Sequence, residues 1–318
     1  MTKIQGKKIL ITGSAGFLGS HLVAHLKKHG YRRLILPSRK DCDLTQKSEI
    51  RRLFGRARPD RVIHLAARVG GIGANQQNPG LFFYENLIMG VELMEEARRA
   101  GVEKFIGIGT VCSYPKFTPV PFKESSFWNG YPEETNAPYG LAKKMLLVQS
   151  QAYRTQYGLN AVYLIPVNMY GPGDNFNPGS SHVIPALIRK FLEAKASGAD
   201  RIIVWGDGTA SREFLYVEDC AEAIRLAMEC YDKPDPVNIG TGREITIKAL
   251  AALLKQMTGF RGRVFWDPSK PNGQPRRRLD VSRARKEFGF KARTPFEAGL
   301  RRTVRWYATA KSGDKRGC

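Results

Sequence analysis

A doubly wound α/β fold, with one large parallel sheet and a smaller C-terminal α/β region, is predicted by three observations. Short apolar runs suited to buried strands alternate with longer helix-competent segments along the first half of the chain. The first such run ends in a glycine-spaced turn that opens a helix. The alternation carries no internal repeat and no low-complexity segment, which argues against a solenoid or a disordered linker.

At 318 residues the chain can bury a large core as one big domain or two moderate ones. Apolar residues make up 42%, and charge is spread evenly, as in a globular chain. The opening MTKIQGKKILITG enters a strand pattern without a signal-peptide apolar region, and no apolar run approaches the roughly 20 residues of a membrane span. Cys42, Cys112, Cys220, Cys230 and Cys318 show no CxxC spacing and an odd count. A reducing cytoplasm is therefore expected, without a disulfide framework or a metal site. Fifty-one basic residues against 29 acidic ones give +22, which would attract polyanions. The basic residues are scattered and lack interleaved base-stacking aromatics, so phosphate-bearing small molecules are expected as partners, and no nucleic acid or membrane.

Taken in order, a strand over Lys8–Thr12 leads through Gly13-Ser14-Ala15-Gly16-Phe17-Leu18-Gly19 into a helix to about His29. Strand, glycine turn and helix together form the context of a dinucleotide-binding Rossmann unit, here with GxxGxxG spacing. His21 and His25 stand at i, i+4 without a third ligand, and are expected as ordinary helix histidines. The second strand, Arg33–Leu36, ends at Ser38-Arg39-Lys40 where an NAD-selecting site would carry an acid. Two cations suit a 2′-phosphate, which predicts NADP(H).

A helix near Gln46–Phe54 precedes the third strand, Val62–Ala66, in which His64 is expected as a packed core residue. The glycine-rich loop Arg68–Asn78, a long helix Pro79–Arg99 and a fourth strand Lys104–Gly109 follow. Thr110, Val111 and Cys112 then emerge at a strand's C-terminal end, where ligands bind in such sheets. Asn136 can cap, and Pro138 can begin, a helix to about Tyr157. Its i, i+4 pair Tyr139 and Lys143 shares one face, and a neighbouring cation would lower the tyrosine toward working pH.

The fifth strand, Ala161–Pro166, leads into a polar turn-rich departure over Asn168–Asn175. A helix Val183–Leu192, a strand Arg201–Trp205 and helices at Cys220–Cys230 and Thr246–Met257 come next. Asp267–Leu279 is predicted as a long binding loop, and a final helix covers Pro295–Ala308. The expected division places a nucleotide-binding domain at 1–168, completed by about 213–240. A substrate-binding domain takes 169–212 and 241–310, with a tail at 311–318.

The glycine turn, the strand-end threonine and the Tyr139/Lys143 pair resemble the extended short-chain dehydrogenase/reductase family. Within it the chain is similar to the GDP-L-fucose synthase family at Val69-Gly70-Gly71-Ile72, Cys112-Ser113-Tyr114-Pro115-Lys116, Asp174-Asn175-Phe176 with Ser181-His182-Val183-Ile184-Pro185, and Val204-Trp205-Gly206 with Arg212-Glu213-Phe214. The resemblance spans essentially the whole chain. It implies NADPH-dependent 3,5-epimerisation and 4-reduction of GDP-4-keto-6-deoxy-D-mannose to GDP-L-fucose, by a cytoplasmic homodimer. It implies Thr110, Tyr139 and Lys143 as the reductase set, with Cys112 and His182 added for epimerisation. Thr110 stands where many members have Ser and keeps the hydroxyl. Asp43, Leu44, Pro166, Asn168, Lys143 and His182 join the glycine turn, Arg39 and Lys40 as candidate cofactor contacts. Asn168, Arg189, Lys190, Trp205, Arg212 and Asn272 are candidate substrate contacts, with Lys190 and Asn272 departing from the family's Arg and Asp.

The chemistry these residues could perform follows from their types. Protons alpha to a ketone can be removed by a positioned side chain while donors hold the carbonyl oxygen. Inverting a carbon needs a base on one face and an acid on the other, and Cys112 and His182 come from separate loops. A thiol ordinarily near 8.5 is brought down by cations, and a histidine near 6.5 can hold a proton at physiological pH. Two other enzyme readings compete: a plain 4-ketoreductase or an epimerase on another nucleotide-linked ketosugar. A dehydratase would need an acid where Val111 or Cys112 stands. A basic nucleic-acid-binding protein on a retained Rossmann fold would not need Cys112, Tyr139, Lys143 and His182 together.

Overall fold

The computed structural model describes residues 4–270 and 272–314. In chain order, β1 (Ile9–Thr12), α1 (Phe17–Lys28), β2 (Leu34–Ile35), α2 (Lys47–Ala57) and β3 (Arg61–His64) come first. Next are α3 (Ile72–Gln77), α4 (Pro79–Arg99), β4 (Lys104–Ile108), α5 (Ala137–Tyr157), β5 (Ala161–Pro166) and β6 (Asn168–Tyr170). They are followed by α6 (Val183–Ala196), β7 (Arg201–Trp205), β8 (Ser211–Tyr216), α7 (Val217–Cys230), β9 (Val237–Ile239) and β10 (Glu244–Thr246). The chain closes with α8 (Ile247–Thr258), β11 (Arg263–Asp267), α9 (Ser282–Phe288) and α10 (Phe296–Asp314).

Six strands form one parallel sheet in the order β2-β1-β3-β4-β5-β9. Every residue of β1, β4 and β5 is buried, as expected for strands covered by helices on both faces. The strand order reverses direction at β1 and β3, so a crevice opens beyond their carboxyl ends. β10, β8 and β6 make a second sheet, and β11 pairs in parallel with β7.

The buried apolar residues fall into two clusters. One gathers the large sheet and its helices, including Leu215–Ile239 and the stretch around Ala284 and Phe288. The other gathers Tyr170, α6, α8 and the α10 residues Leu300 and Tyr307. Among the described residues no helix is long and apolar enough to cross a membrane, and Cys42, Cys112, Cys220 and Cys230 are free thiols. Cys318 and residues 315–317 of the expected tail lie outside the described residues.

The structure departs from expectation in short elements. The glycine-rich stretch 68–78 contains α3, and the turn-rich stretch after β5 contains β6, which leaves the large sheet to pair with β8. The strands β9, β10 and β11 and the helix α9 carry three to seven residues each, too few to show a period. Final helix α10 runs to Asp314, past the predicted end at Ala308.

Candidate functional site

Of the candidate catalytic, cofactor and substrate residues, all but Lys40 line a single cleft of about 1010 Å³ between the carboxyl ends of the large sheet and the second cluster. At its deep end the glycine turn is shaped for close approach. Gly13 has φ +69°, and a Cβ there would stand 2.7 Å from the Ala66 nitrogen. A Cβ on Gly19 would stand 2.1 Å from the Gly13 oxygen, so only glycine lets α1 close on the turn. Ser14, Ala15, Gly16, Phe17 and Leu18 complete this wall and put the N-terminus of α1 toward the cleft.

Beyond β2, Arg39 lines the cleft, whereas Lys40 is exposed outside it. The cause is local. Asp41 turns back to accept from Ser38 N at 2.9 Å and from Ser38 Oγ at 2.7 Å. The tight turn faces successive side chains apart, and it also occupies the first acid after β2 internally. Asp43, which accepts from Thr45, and buried Leu44 line the adjoining wall.

The reactive centre is built from α5 and the turn after β4. Pro138 lies in the first turn of α5 and Gly158 ends it at φ +68°. Asn136 holds the N-cap position without a side-chain cap, contrary to expectation, and its amide donates to Glu133 at 2.9 Å. Thr110 Oγ1 accepts from the Cys112 nitrogen at 3.2 Å and is also hydrogen-bonded to the Tyr139 side chain. Lys143 is 3% exposed, and Tyr163 donates to its carbonyl at 2.8 Å.

The electrostatics reverse one expectation. Burial pushes the Tyr139 phenol above its ordinary value, Cys112 adds to the rise, and only the Thr110 bond opposes it. Lys143 does not bring it down, because the ammonium is itself buried and is pushed down to about 8. Tyr139 is therefore a phenol across the physiological range, set to donate a proton.

On the facing wall His182 occupies the N-cap position of α6 but makes no capping bond. It is exposed by area, yet it lines the cleft; enclosure by the surrounding protein, then the Arg277 charge, holds it below its ordinary value. The expectation of a readily protonated histidine is thus corrected: the neutral form prevails. Pro166 ends β5, and Asn168 opens β6 with its amide 3.5 Å from the Glu213 carbonyl.

At the outer end Arg189 pairs with Glu193 at 2.9 Å, and Lys190 donates to the Ile203 carbonyl at 2.6 Å. Burial, then Arg189, lowers Lys190. Trp205 is 52% exposed with the Lys270 ammonium 5.7 Å from its ring centroid. Arg212 donates to the carbonyls of Ser211 and Asn272, and burial, then Arg277, brings it down to about 9. Asn272 is exposed, and its Oδ1 accepts from Asp207 N at 3.1 Å.

Three further residues that line the cleft were given no individual role from the sequence. Arg277 Nη1 lies 3.5 Å from Cys112 Sγ, and Gln274 accepts from Arg277 Nε. Asp174 is 8% exposed; its Oδ1 accepts from Asn175 N at 2.7 Å, while Oδ2 has no partner among the described residues. Burial pushes it up to about 7. An acid and a turn were visible in the sequence, but nothing there marked the side chain as buried.

The remaining histidines are engaged away from the reactive centre. His64 is 1% exposed, bonded to Thr12 Oγ1 at 2.8 Å, and pushed down to about 3 by burial and then Lys143, as a packed core histidine would be. His21 bonds the Pro172 carbonyl at 2.8 Å. His25, His29 and Glu222 converge on one point of the α1–α7 contact, and Glu222 is also gripped by Arg225 through two bonds of 2.8 Å.

Residues 9–240 match the NAD dependent epimerase/dehydratase family. The probable GDP-L-fucose synthase 1 of Oryza sativa subsp. japonica is 42% identical over 304 residues, covering 95% of this chain and 92% of the relative. A GDP-L-fucose synthetase from Naegleria fowleri, solved bound to NADP, superimposes with a TM-score of 0.89 at 28% identity, over 98% of this chain and 97% of that one. A GDP-6-OMe-4-keto-L-xylo-heptose reductase from C. jejuni gives 0.91 at 28% identity, over 96% and 99%.

Proposed function

The chain belongs to the NAD dependent epimerase/dehydratase family, and within it we propose that it carries out NADPH-dependent 3,5-epimerisation and 4-reduction of GDP-4-keto-6-deoxy-D-mannose to GDP-L-fucose. One observation carries this reading: a single cleft gathers the phenol, ammonium and hydroxyl of a ketone reductase with a thiol and an imidazole from separate loops. The fit of the cofactor rests on the glycine turn, where a Cβ at Gly13 or Gly19 would strike backbone, and on Arg39 at the cleft wall. NADPH, when bound, supplies the hydride.

Gly13 to Gly19 would hold the diphosphate of the dinucleotide, Arg39 its 2′-phosphate, and Asp43 and Leu44 its adenosine end. Pro166, Asn168 and His182 would border the nicotinamide, with Lys143 on its ribose. Cys112 takes the proton from the carbon alpha to the ketone, and His182 returns one on the opposite face. A neutral His182 needs added negative charge to take up a proton, and a nucleotide diphosphate in the cleft provides it. Thr110 hydrogen-bonds the ketone oxygen, and Tyr139 protonates it as C4 is reduced. Asn168, Arg189, Lys190, Trp205, Arg212 and Asn272 would receive the GDP-sugar. In this reading residues 1–168 with 213–240 bind the dinucleotide, and 169–212 with 241–310 bind the sugar nucleotide. A cytoplasmic homodimer belongs to the same proposal, and sedimentation checks the dimer.

A second reading, a 4-reductase of another GDP-linked ketosugar, is favoured by the likeness to the C. jejuni heptose reductase. Solvent deuterium separates the two. The epimerase-reductase puts deuterium at C3 and C5 of the ketosugar, and Cys112→Ser abolishes that exchange while sparing some reduction at C4. Reduction by the unaltered protein without deuterium at either carbon would reject the epimerase role.

A further inference from the structure

We propose that Arg277 and Gln274 are positioning residues that fix the Cys112 sulfur as the carbon base, an inference that rests on the reading of Cys112 given above. The observation is a closed brace. Arg277 Nη1 reaches Cys112 Sγ at 3.5 Å across 165 residues of sequence. Its Nε donates to Gln274 Oε1 at 3.1 Å. Gln274 is 2% exposed, and its amide nitrogen donates to the carbonyls of Pro115 at 3.1 Å and Lys116 at 2.9 Å. Those carbonyls lie three and four residues past Cys112, so the thiol and the guanidinium are tied to the same short stretch. Only a primary amide can accept from the guanidinium and donate twice onward.

The backbone of Arg277 is held as firmly. Fully buried Glu213 donates from its nitrogen to the Arg277 carbonyl at 2.9 Å. Its carboxylate accepts from Leu279 N at 2.6 Å and Gly242 N at 2.7 Å. Glu213 thus holds the chain at Arg277 through its backbone and two residues further on, at Leu279, through its carboxylate.

The charges facing Cys112 give the brace its purpose. Arg277, Arg212 and Tyr139 are the ionisable groups turned toward the thiol. Arg277 is 6% exposed and Arg212 is 9% exposed, and neither forms a salt bridge among the described residues. Two buried cations side by side favour an anion between them. The Cys112 sulfur, 3.5 Å from Arg277 Nη1, is the group so placed. It takes a proton from the sugar carbon to become a thiol, and the electron pair of the broken C–H bond moves onto the ketone oxygen as an enolate. Gln274 is neutral, so it aims Arg277 without competing for its charge.

The test needs no sugar nucleotide. The folded full chain is alkylated with iodoacetamide from pH 5 to 10, and Cys112 modification is followed by peptide mass spectrometry, with exposed Cys230 as the internal reference. Arg277→Gln should slow Cys112 alkylation at pH 7 at least tenfold and move its profile to higher pH, leaving Cys230 unchanged. Arg277→Lys, which keeps the charge, should fall between. Gln274→Leu should move the profile in the same direction by less. An Arg277→Gln profile that coincides with the unaltered protein overturns the proposal, and so does a Gln274→Leu profile without a shift. Loss of deuterium exchange in the unaltered protein would instead sink the epimerase reading, whatever the alkylation shows.

Discussion

Ser113 Oγ donates to the Gly140 carbonyl at 2.7 Å, tying the turn that bears Cys112 to the first turn of the helix that bears Tyr139. The Cys112 turn and the Tyr139 helix therefore share one rigid joint. The joint is tight, because a Cβ on Gly140 would stand 2.7 Å from the Cys112 oxygen.

Gly140→Ala should accordingly act on both chemistries at once. Backbone has to move, which costs on the order of 1–3 kcal/mol of stability. Thermal melting should show that loss, and NADPH oxidation and deuterium exchange should fall together. A variant as active and as stable as the parent would mean that the joint is loose.

Tyr139→Phe should leave the fold intact and cut ketosugar reduction by on the order of 10²–10⁴, the usual worth of a positioned acid. The alkaline limb of kcat/KM belongs to Lys143, whose buried ammonium loses its proton near pH 8, and not to Tyr139, which burial holds above its ordinary value. Stopped-flow measurement of NADPH oxidation from pH 6 to 10 checks both points. A limb near 8 that survives in Lys143→Met would reassign it.

Arg39→Ala should weaken NADPH binding far more than NADH binding, since Arg39 is the cation at the cleft wall where the 2′-phosphate would lie, while Lys40 stands outside. Fluorescence titration with the two cofactors gives the ratio. Equal losses would place the reading of the phosphate elsewhere.

Asp174 makes a prediction about stability. Its folded pKa of about 7 lies above the ordinary carboxyl value, so the folded state holds its proton longer than the unfolded chain. The contribution is therefore full below about pH 4 and is lost as pH rises to 7, to a limit on the order of 4 kcal/mol. Asp174→Asn keeps an oxygen for Asn175 N and removes the titration. Its melting temperature relative to the parent should climb from pH 4.5 to 7.5, and a flat difference would show that the carboxyl does not titrate there.

The large sheet was legible because its strands are continuous apolar runs separated by long periodic helices, and because Gly13 to Gly19 mark where the first strand turns. That Tyr139 and Lys143 line one cleft was legible from helical spacing alone. Arg277 and Gln274 were not, since they reach Cys112 through a loop without period, more than 160 residues away. The direction of the Tyr139 shift was misjudged for a related reason: sequence gives the neighbouring cation but not the depth at which both groups lie. Strands as short as β9 and β10 are defined by the partners they meet, β5 and β8, rather than by their own three residues.

The order in which the chain visits its two cores has a consequence for its birth on the ribosome. β5 waits for its neighbour β9, which lies 71 residues beyond Pro166, and the intervening chain lays down α6, β7 and β8 of the other core first. At about 5–20 residues per second, the open edge of the half-made sheet stays bare for on the order of 4–15 s of synthesis. Pausing in the codons for residues 170–235 would lengthen that interval, and the nascent chain would be most open to chaperones and to aggregation there.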